Sequence, residues 1–136
     1  LAGGVGNLFN RVTVLIHKFM DGEIGVDKEK LLADLRESDR LKRFDDLMNQ
    51  KKIKSAYDYF FSVVDEANQR LNETEVWKLA KTDPEAANKI FLELYEYLVL
   101  LGSMAEILLP ESAEKMQQML GELKQVGKAV ILFDRK

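Results

Sequence analysis

The sequence predicts an all-α protein, an up-and-down helical bundle followed by a short extended C-terminal tail. Apolar residues recur every three or four positions nearly throughout, which is the period of an amphipathic helix. Only two prolines and eight glycines interrupt the pattern, and no stretch alternates β-branched and polar residues as a half-buried strand does. We expect a helical domain over residues 1–121 and a tail over residues 122–136. The tail contains the apolar run Val130–Phe133, which is expected to dock on the bundle or on another part of a longer chain.

The first predicted helix runs from Val5 to Phe19. Its apolar positions share one stripe and are Leu8, Val12, Leu15, Ile16 and Phe19. Gly3 and Gly4 are expected to fray the first turn. Asp21 and Gly22 favour a turn and therefore end the helix.

Three further helices, a polar connector and a short helical turn follow. Asp27 is expected to cap a short helix, and Ser38 to cap the next one. A long helix is predicted from Lys52 to Leu71, after which residues 72–75 form a polar connector and residues 76–81 a short helical turn. The inward-facing positions of the long helix are Ile53, Ala56, Tyr57, Phe60, Phe61, Val64 and Leu71.

The last two helices are predicted from their proline-containing starts. Thr82 is the expected cap of the first, because Pro84 stands in its first turn and a glutamate lies three residues after the threonine. This helix extends over Glu85–Leu108. Its broad apolar arc predicts the most buried position in the bundle. Pro110 opens the final helix, which ends at Gly121.

Composition excludes several kinds of chemistry. The chain has no cysteine, which excludes thiolate catalysis and cysteine-based zinc sites. His17 is the single histidine, which excludes a histidine-rich metal site. The net charge of −3 argues against a general binder of polyanions, whose affinity comes from lysine and arginine. No stretch resembles a signal peptide or a membrane span, so a cytoplasmic protein is expected. The chain starts with Leu1 rather than methionine, which indicates a piece of a longer protein.

No group of side chains predicts a catalytic site. His17 is expected to be a partly exposed residue that interacts favourably with the dipole at the end of the first helix. Two carboxylate pairs could be imagined as acid–base groups, but Glu93 with Glu96 and Asp45 with Asp46 fit solvated helix faces better. We therefore expect neither catalytic nor metal-binding residues.

Three residues could bind RNA. Asn7 and Arg11 are four positions apart, so they share a face of the first helix that differs from its apolar stripe. Their donors and the amide acceptor suit the Watson–Crick edge of an unstacked base, although an exposed polar pair has the same pattern. Trp77, the single tryptophan, is either a core residue or a platform on which a base stacks.

Several segments carry the pattern of one known family. Residues 6–12 read Gly-Asn-Leu-Phe-Asn-Arg-Val, and residues 67–68 read Ala-Asn. Residues 73–81 follow with Glu-Thr-Glu-Val-Trp-Lys-Leu-Ala-Lys. These segments resemble the Gly-Asn-Leu-x-Asn-Arg-Val and Asn…Glu-Thr-x-Pro-Trp-x-Leu-Ala-Lys stretches in the anticodon-binding domains of methionyl-tRNA synthetases, which are class I enzymes. Residues 110–115 resemble the family's final helix pair, and residues 127–133 the segment that turns back toward the catalytic half.

The resemblance implies roles for the three candidate residues. In the family, the residues that match Asn7 and Arg11 contact the first anticodon base, a cytosine, and the tryptophan that matches Trp77 stacks on it. An arginine can donate to the O2/N3 acceptor edge of cytosine, whereas uracil presents a donor at N3 and leaves the pocket unsatisfied. Val76 stands where the family has proline, which is expected to loosen the backbone before the tryptophan.

The same resemblance implies partners and cofactors. The catalytic motifs of the family, of the His-Ile-Gly-His and Lys-Met-Ser-Lys-Ser types, are absent from this sequence. We therefore expect a non-catalytic part of a methionine–tRNA ligase that recognises the CAU anticodon and itself needs no cofactor. The parent enzyme would use ATP and Mg for aminoacylation. The expected partners are the tRNA anticodon loop and the catalytic domain of the same parent chain.

Two alternatives remain open at this point. The chain could be the equivalent domain of another class I synthetase, such as the cysteinyl, valyl or leucyl enzyme, or a helical interaction module without an RNA role. If it binds RNA as the resemblance implies, Trp77 should be substantially exposed beside the first helix.

Overall fold

The computed structural model is a bundle of α-helices, which confirms the predicted fold class. It describes residues 3–20, 23–24, 28–121 and 124–125. In chain order the elements are α1 (Gly3–Met20), β1 (Glu23–Ile24), α2 (Lys28–Arg36), α3 (Asp39–Asn49), α4 (Ile53–Thr74), α5 (Val76–Thr82), α6 (Pro84–Leu108), α7 (Pro110–Gly121) and β2 (Lys124–Gln125). The two short strands pair in parallel, with Glu23 opposite Lys124 and Ile24 opposite Gln125.

Some sequence predictions fall on residues outside this description. They are the turn at residues 21–22, the cap Asp27 and the apolar run Val130–Phe133. α1 begins at Gly3, two residues before the predicted start, so the two glycines that were expected to fray belong to the helix.

α6 is the central element, as its broad apolar arc predicts. It contacts every other helix of the described chain. Its buried residues are Ala87, Phe91, Leu94, Tyr95, Leu98, Val99, Leu100, Leu101, Gly102, Met104, Ala105 and Leu108. Because these side chains lie on nearly all sides of the helix, the other helices must surround it.

Two helices begin after polar capping residues, close to the helix starts that the sequence predicts. The Ser38 side chain accepts a hydrogen bond from the Leu41 backbone N–H at 3.3 Å, which confirms the predicted start of α3. α6 begins with Pro84, but its cap is Asp83, whose carboxylate accepts from the Ala86 N–H at 3.3 Å. The prediction of Thr82 as the cap was wrong, because that residue is still the last residue of α5.

The end of α4 also differs from the prediction. Residues 72–74 were expected in a polar connector, but they continue the helix to Thr74, whose hydroxyl donates to the Leu71 carbonyl at 3.3 Å. Only Glu75 leaves the helical conformation. α4 and α5 are therefore separated by a single residue, which brings Trp77 close to the end of the long helix.

The core matches the predicted apolar faces except at the end of the bundle. Leu8, Val12 and Ile16 of α1 are fully buried. Ile53, predicted to face inward, is 45% exposed and is the first residue of α4. No helix within the described residues is long and apolar enough to span a membrane.

Candidate nucleic-acid interface

The polar face of α1 is fixed by the burial of its apolar face. Because Leu8 and Val12 point into the core, Asn7 and Arg11 lie toward the outside of the bundle. Asn7 is exposed, and Arg11, one turn later, is half-buried. The helix therefore presents the two side chains on one face, as their spacing predicts.

Arg11 is held by a residue of another helix. One guanidinium nitrogen, Nη2, donates a hydrogen bond to the Asn72 side-chain oxygen at 3.0 Å. Within the described chain Arg11 forms no ion pair with a carboxylate. A neutral amide orients the guanidinium without neutralising its charge, so the remaining N–H donors can still bind an acceptor group.

Trp77 lies on α5, immediately after a fully buried residue. Val76 has no exposed surface, and the indole of Trp77 is half-buried against the core. The Lys78 and Leu79 backbone N–H groups donate to the Glu75 carbonyl at 2.8 and 3.2 Å, so the tryptophan sits in a hydrogen-bonded first turn. The indole is less exposed than the RNA-binding interpretation predicts, and its accessible part faces α1.

A surface cavity joins the two helices. Arg11, Val14, Leu15 and Trp77 line it, and its volume is about 280 Å³. The structure thus brings together two of the three predicted site residues, although they are far apart in the sequence. Asn7 does not line this cavity and lies one helical turn before Arg11. The cavity has an aromatic side, an aliphatic side and a cationic hydrogen-bond donor, which together suit a flat ring with acceptor atoms at its edge.

Sequence reasoning missed three residues of this interface. Asn72 was placed in a connector, so its position beside α1 could not be inferred. No local pattern links it to Arg11, because 61 positions separate them. Leu15 was expected only as part of the apolar stripe, and Val14 was not singled out. Both residues lie one turn after Arg11 on the same helix, and this spacing in the sequence could have identified them as neighbours of Arg11.

The other polar candidates from the sequence lie outside the cavity beside Trp77. His17 is exposed near the end of α1, as expected, and Asp45 and Asp46 are exposed on α3. Glu93 is not simply solvated: Arg70 donates two hydrogen bonds to its carboxylate, at 2.6 and 3.1 Å.

Glu96 differs from the neighbouring Glu93. Burial raises the pKa of the Glu96 carboxyl, and the negative charges of Glu93 and Asp34 raise it further. Both glutamates line a second cavity of about 230 Å³, together with Leu35, Ser38, Arg40, Tyr97 and Leu100. Two carboxylates make this cavity a poorer site for RNA than the cavity beside Trp77. No cluster of three or more potential metal ligands occurs among the described residues.

Comparisons with known proteins bear on the family of this chain rather than on single residues of the site. A family model described as the anticodon-binding domain of methionyl tRNA ligase matches residues 20–129. The match includes Trp77 and Asn72, whereas Asn7 and Arg11 precede it. No solved structure matches the chain significantly.

Several methionine–tRNA ligases are similar over most of this chain. That of Rickettsia felis is 29% identical over 132 residues, which cover 92% of this chain and 26% of the ligase. The Phocaeicola vulgatus ligase is 33% identical, with 95% of this chain and 20% of that protein covered. For Pyrobaculum calidifontis the identity is 32%, with 86% and 21% covered. The chain therefore spans about a quarter or less of these relatives. On the family match and these similarities, the chain belongs to the family of methionyl-tRNA ligase anticodon-binding domains.

Proposed function

We propose that this domain recognises the CAU anticodon of methionine tRNA and reads its first base in the cavity beside Trp77. The observation that carries the proposal is the cavity itself, which Arg11 and Trp77 line together. Asn7 extends the polar face of α1 by one turn and adds a donor and an acceptor at the edge of the site.

The chemistry favours cytosine over uracil at this position. A base that leaves the anticodon stack can place its face on the indole and its edge toward the guanidinium. The N–H groups of Arg11 donate to the O2 and N3 acceptors of cytosine. Uracil has an N–H at position 3, so one donor would face another and lose its hydrogen bond. The hydrogen bond from Arg11 to Asn72 limits the rotation of the guanidinium, so the guanidinium cannot turn to bind uracil as well as cytosine.

The domain functions, in this proposal, as part of a longer methionine–tRNA ligase. The relatives carry that name, and this chain matches about a quarter or less of their length. The catalytic part of the same chain would be its second partner and would use ATP and Mg, whereas the residues of the anticodon site bind RNA without a cofactor.

Binding to two anticodon stem-loops tests the proposal. Loops with CAU and UAU are titrated into the chain up to millimolar concentration, and quenching of the single tryptophan reports the binding. We expect about 5- to 150-fold tighter binding of CAU, since one correctly read base contributes about 1–3 kcal/mol. Arg11→Ala should remove the preference. Trp77→Ala, measured by calorimetry, should weaken binding by about 1–3 kcal/mol.

Arg43→Ala is the charge-matched control, because Arg43 is exposed on α3, away from the cavity. It removes one positive charge and should leave the CAU preference intact. The proposal fails if the native chain binds both loops equally and with strong salt dependence. It also fails if the full preference survives both Arg11→Ala and Trp77→Ala.

A further inference from the structure

Glu75 has an unusual backbone conformation next to the candidate site. Its φ and ψ are 45° and 51°, in the left-handed region, and in the described chain only Lys51 (φ 60°) shares a positive φ among non-glycine residues. An ordinary side chain disfavours this region, so the surrounding structure must hold it. Glu75 both ends α4 and precedes the first residue of α5.

The contacts around Glu75 tie it to α5. Its carbonyl accepts hydrogen bonds from the Lys78 and Leu79 N–H groups, and its carboxylate lies 3.0 Å from the Lys78 ammonium. Val76, the next residue, is fully buried and fixes the start of α5 in the core. The left-handed residue therefore sets the direction in which α5 leaves α4.

In the sequence, Glu75 also lies between two residues that shape the cavity. Asn72, three residues earlier, holds the guanidinium of Arg11. Trp77, two residues later, lines the same cavity from α5. A change of backbone conformation at the one residue between them would move the indole relative to the guanidinium, since neither neighbouring helix has another break.

We propose that Glu75 is a positioning residue for the first-base pocket: its left-handed backbone, rather than its charge, fixes Trp77 opposite Arg11. This role rests on the function proposed above. It assigns part of the base discrimination to the backbone conformation of a residue that needs no contact with the RNA. A misplaced indole would still offer a stacking surface, so discrimination should suffer more than total binding.

Substitutions that differ in their tolerance of positive φ test this role. Glu75→Val disfavours the left-handed region, Glu75→Asn tolerates it, and Glu75→Gln removes only the charge. Lys51→Val is the matched control, because it imposes the same conflict beside the opposite end of α4. Glu75→Ala is a milder alternative to Glu75→Val should the valine variant not fold.

Each variant is measured in three ways: its midpoint of urea unfolding, its CAU/UAU ratio of Kd, and the emission maximum and acrylamide quenching of Trp77 without RNA. We expect Glu75→Val and Lys51→Val to lose similar stability. Only Glu75→Val should change the tryptophan signals and raise the CAU/UAU ratio of Kd toward one, by about five-fold or more. Glu75→Asn and Glu75→Gln should retain both.

The outcomes separate this inference from the proposed function. Native-like tryptophan signals and CAU preference in a folded Glu75→Val or Glu75→Ala variant overturn the positioning role. An equal loss of preference in Lys51→Val does the same, because it would reflect stability alone. If the native chain shows no CAU preference, the proposed function fails, while the tryptophan signals of the free variants still decide whether Glu75 positions the indole.

Discussion

Val14 exposes 52% of its surface although it lines the cavity beside Trp77, together with Arg11. Single exposed aliphatic residues are common on proteins and need no explanation by themselves. Here the position matters, because a base stacked on Trp77 would cover this side chain. Burying it would exclude water from the hydrogen bonds of the guanidinium and so strengthen them.

Val14→Ser should therefore weaken RNA binding without destabilising the fold. Each buried methylene contributes about 0.8 kcal/mol, so we expect about three- to ten-fold weaker binding of the CAU stem-loop. Ile107→Ser is the matched control, since Ile107 is also 52% exposed but lies near the end of α6. Titration of both variants checks the prediction, and an equal loss of affinity in the two would contradict it.

The residues of the site were predictable to different degrees. The resemblance identified Arg11 and Trp77, and the structure places them around one cavity. Whether they and Asn7 contact an anticodon stays a prediction. Asn72 could not be found, because a hydrogen bond between residues so distant in sequence depends on how α1 and α4 pack. No sequence rule predicts such a side-chain contact.

Helices α6 and α7 approach each other closely at Gly102. A Cβ atom at this position would lie 3.1 Å from the Gln117 side-chain nitrogen and 3.7 Å from Leu120 Cδ1. The nearer atom is the far end of a flexible side chain, so it can move a few tenths of an ångström. We therefore expect this buried position to accept an alanine in place of the glycine.

Gly102→Ala should stabilise the domain by up to about 1 kcal/mol, because glycine is about that much less favourable than alanine inside a helix. Gly102→Val should instead destabilise it by about 1–3 kcal/mol, since its extra methyl groups overpack the contact with α7. Urea unfolding measures both changes. A loss of more than about 1 kcal/mol in Gly102→Ala would mean that Gln117 cannot move.

At the scale of elements, the predictability of a helix boundary depended on the residue that forms it. Pro84 marked the start of α6 because proline fits the first turn of a helix and breaks its interior. The end of α4 depends on Glu75, a non-glycine residue in the left-handed region. The residue type does not predict this conformation, because glutamate disfavours positive φ and the buried neighbours of Glu75 hold it there.

Polar contacts link helices α3, α4 and α6 of the bundle, and the helical periodicity of the sequence does not predict them. Arg40 of α3 forms an ion pair with Glu66 of α4, and the Tyr97 hydroxyl of α6 donates to the same carboxylate at 2.5 Å. Burial and the bond to Glu66 raise the pKa of Tyr97 to about 12. Arg70 and Glu93 form a second link between α4 and α6. Periodicity predicted the bundle, but ion-pair partners depend on the rotation of each helix.

Two glutamates of this region should affect stability with opposite signs. The hydrogen bond from Arg40 lowers the pKa of Glu66 in the folded protein, so its contribution is complete above its ordinary pKa and is lost as the pH falls through the folded value. Burial and neighbouring charge raise the pKa of Glu96, so its ionised form opposes folding. That cost is present above the raised pKa and disappears below the ordinary one.

At pH 7, Glu66→Gln should lower the free energy of unfolding by up to about 1 kcal/mol, the range of partly exposed ion pairs. Glu96→Gln should raise it by about 0.3 kcal/mol, as expected when one of two neighbouring like charges is removed from a helix. Both differences should shrink as the pH falls below the ordinary glutamate range, because the native carboxyls then become neutral as well. Urea unfolding at pH 7 and at a series of lower values down to about pH 2 measures these changes, because the pKa of Glu66 lies below the ordinary glutamate value. A Glu96→Gln variant that is less stable than the native chain at pH 7 would show that the Glu96 carboxylate makes a favourable contact that outweighs its burial.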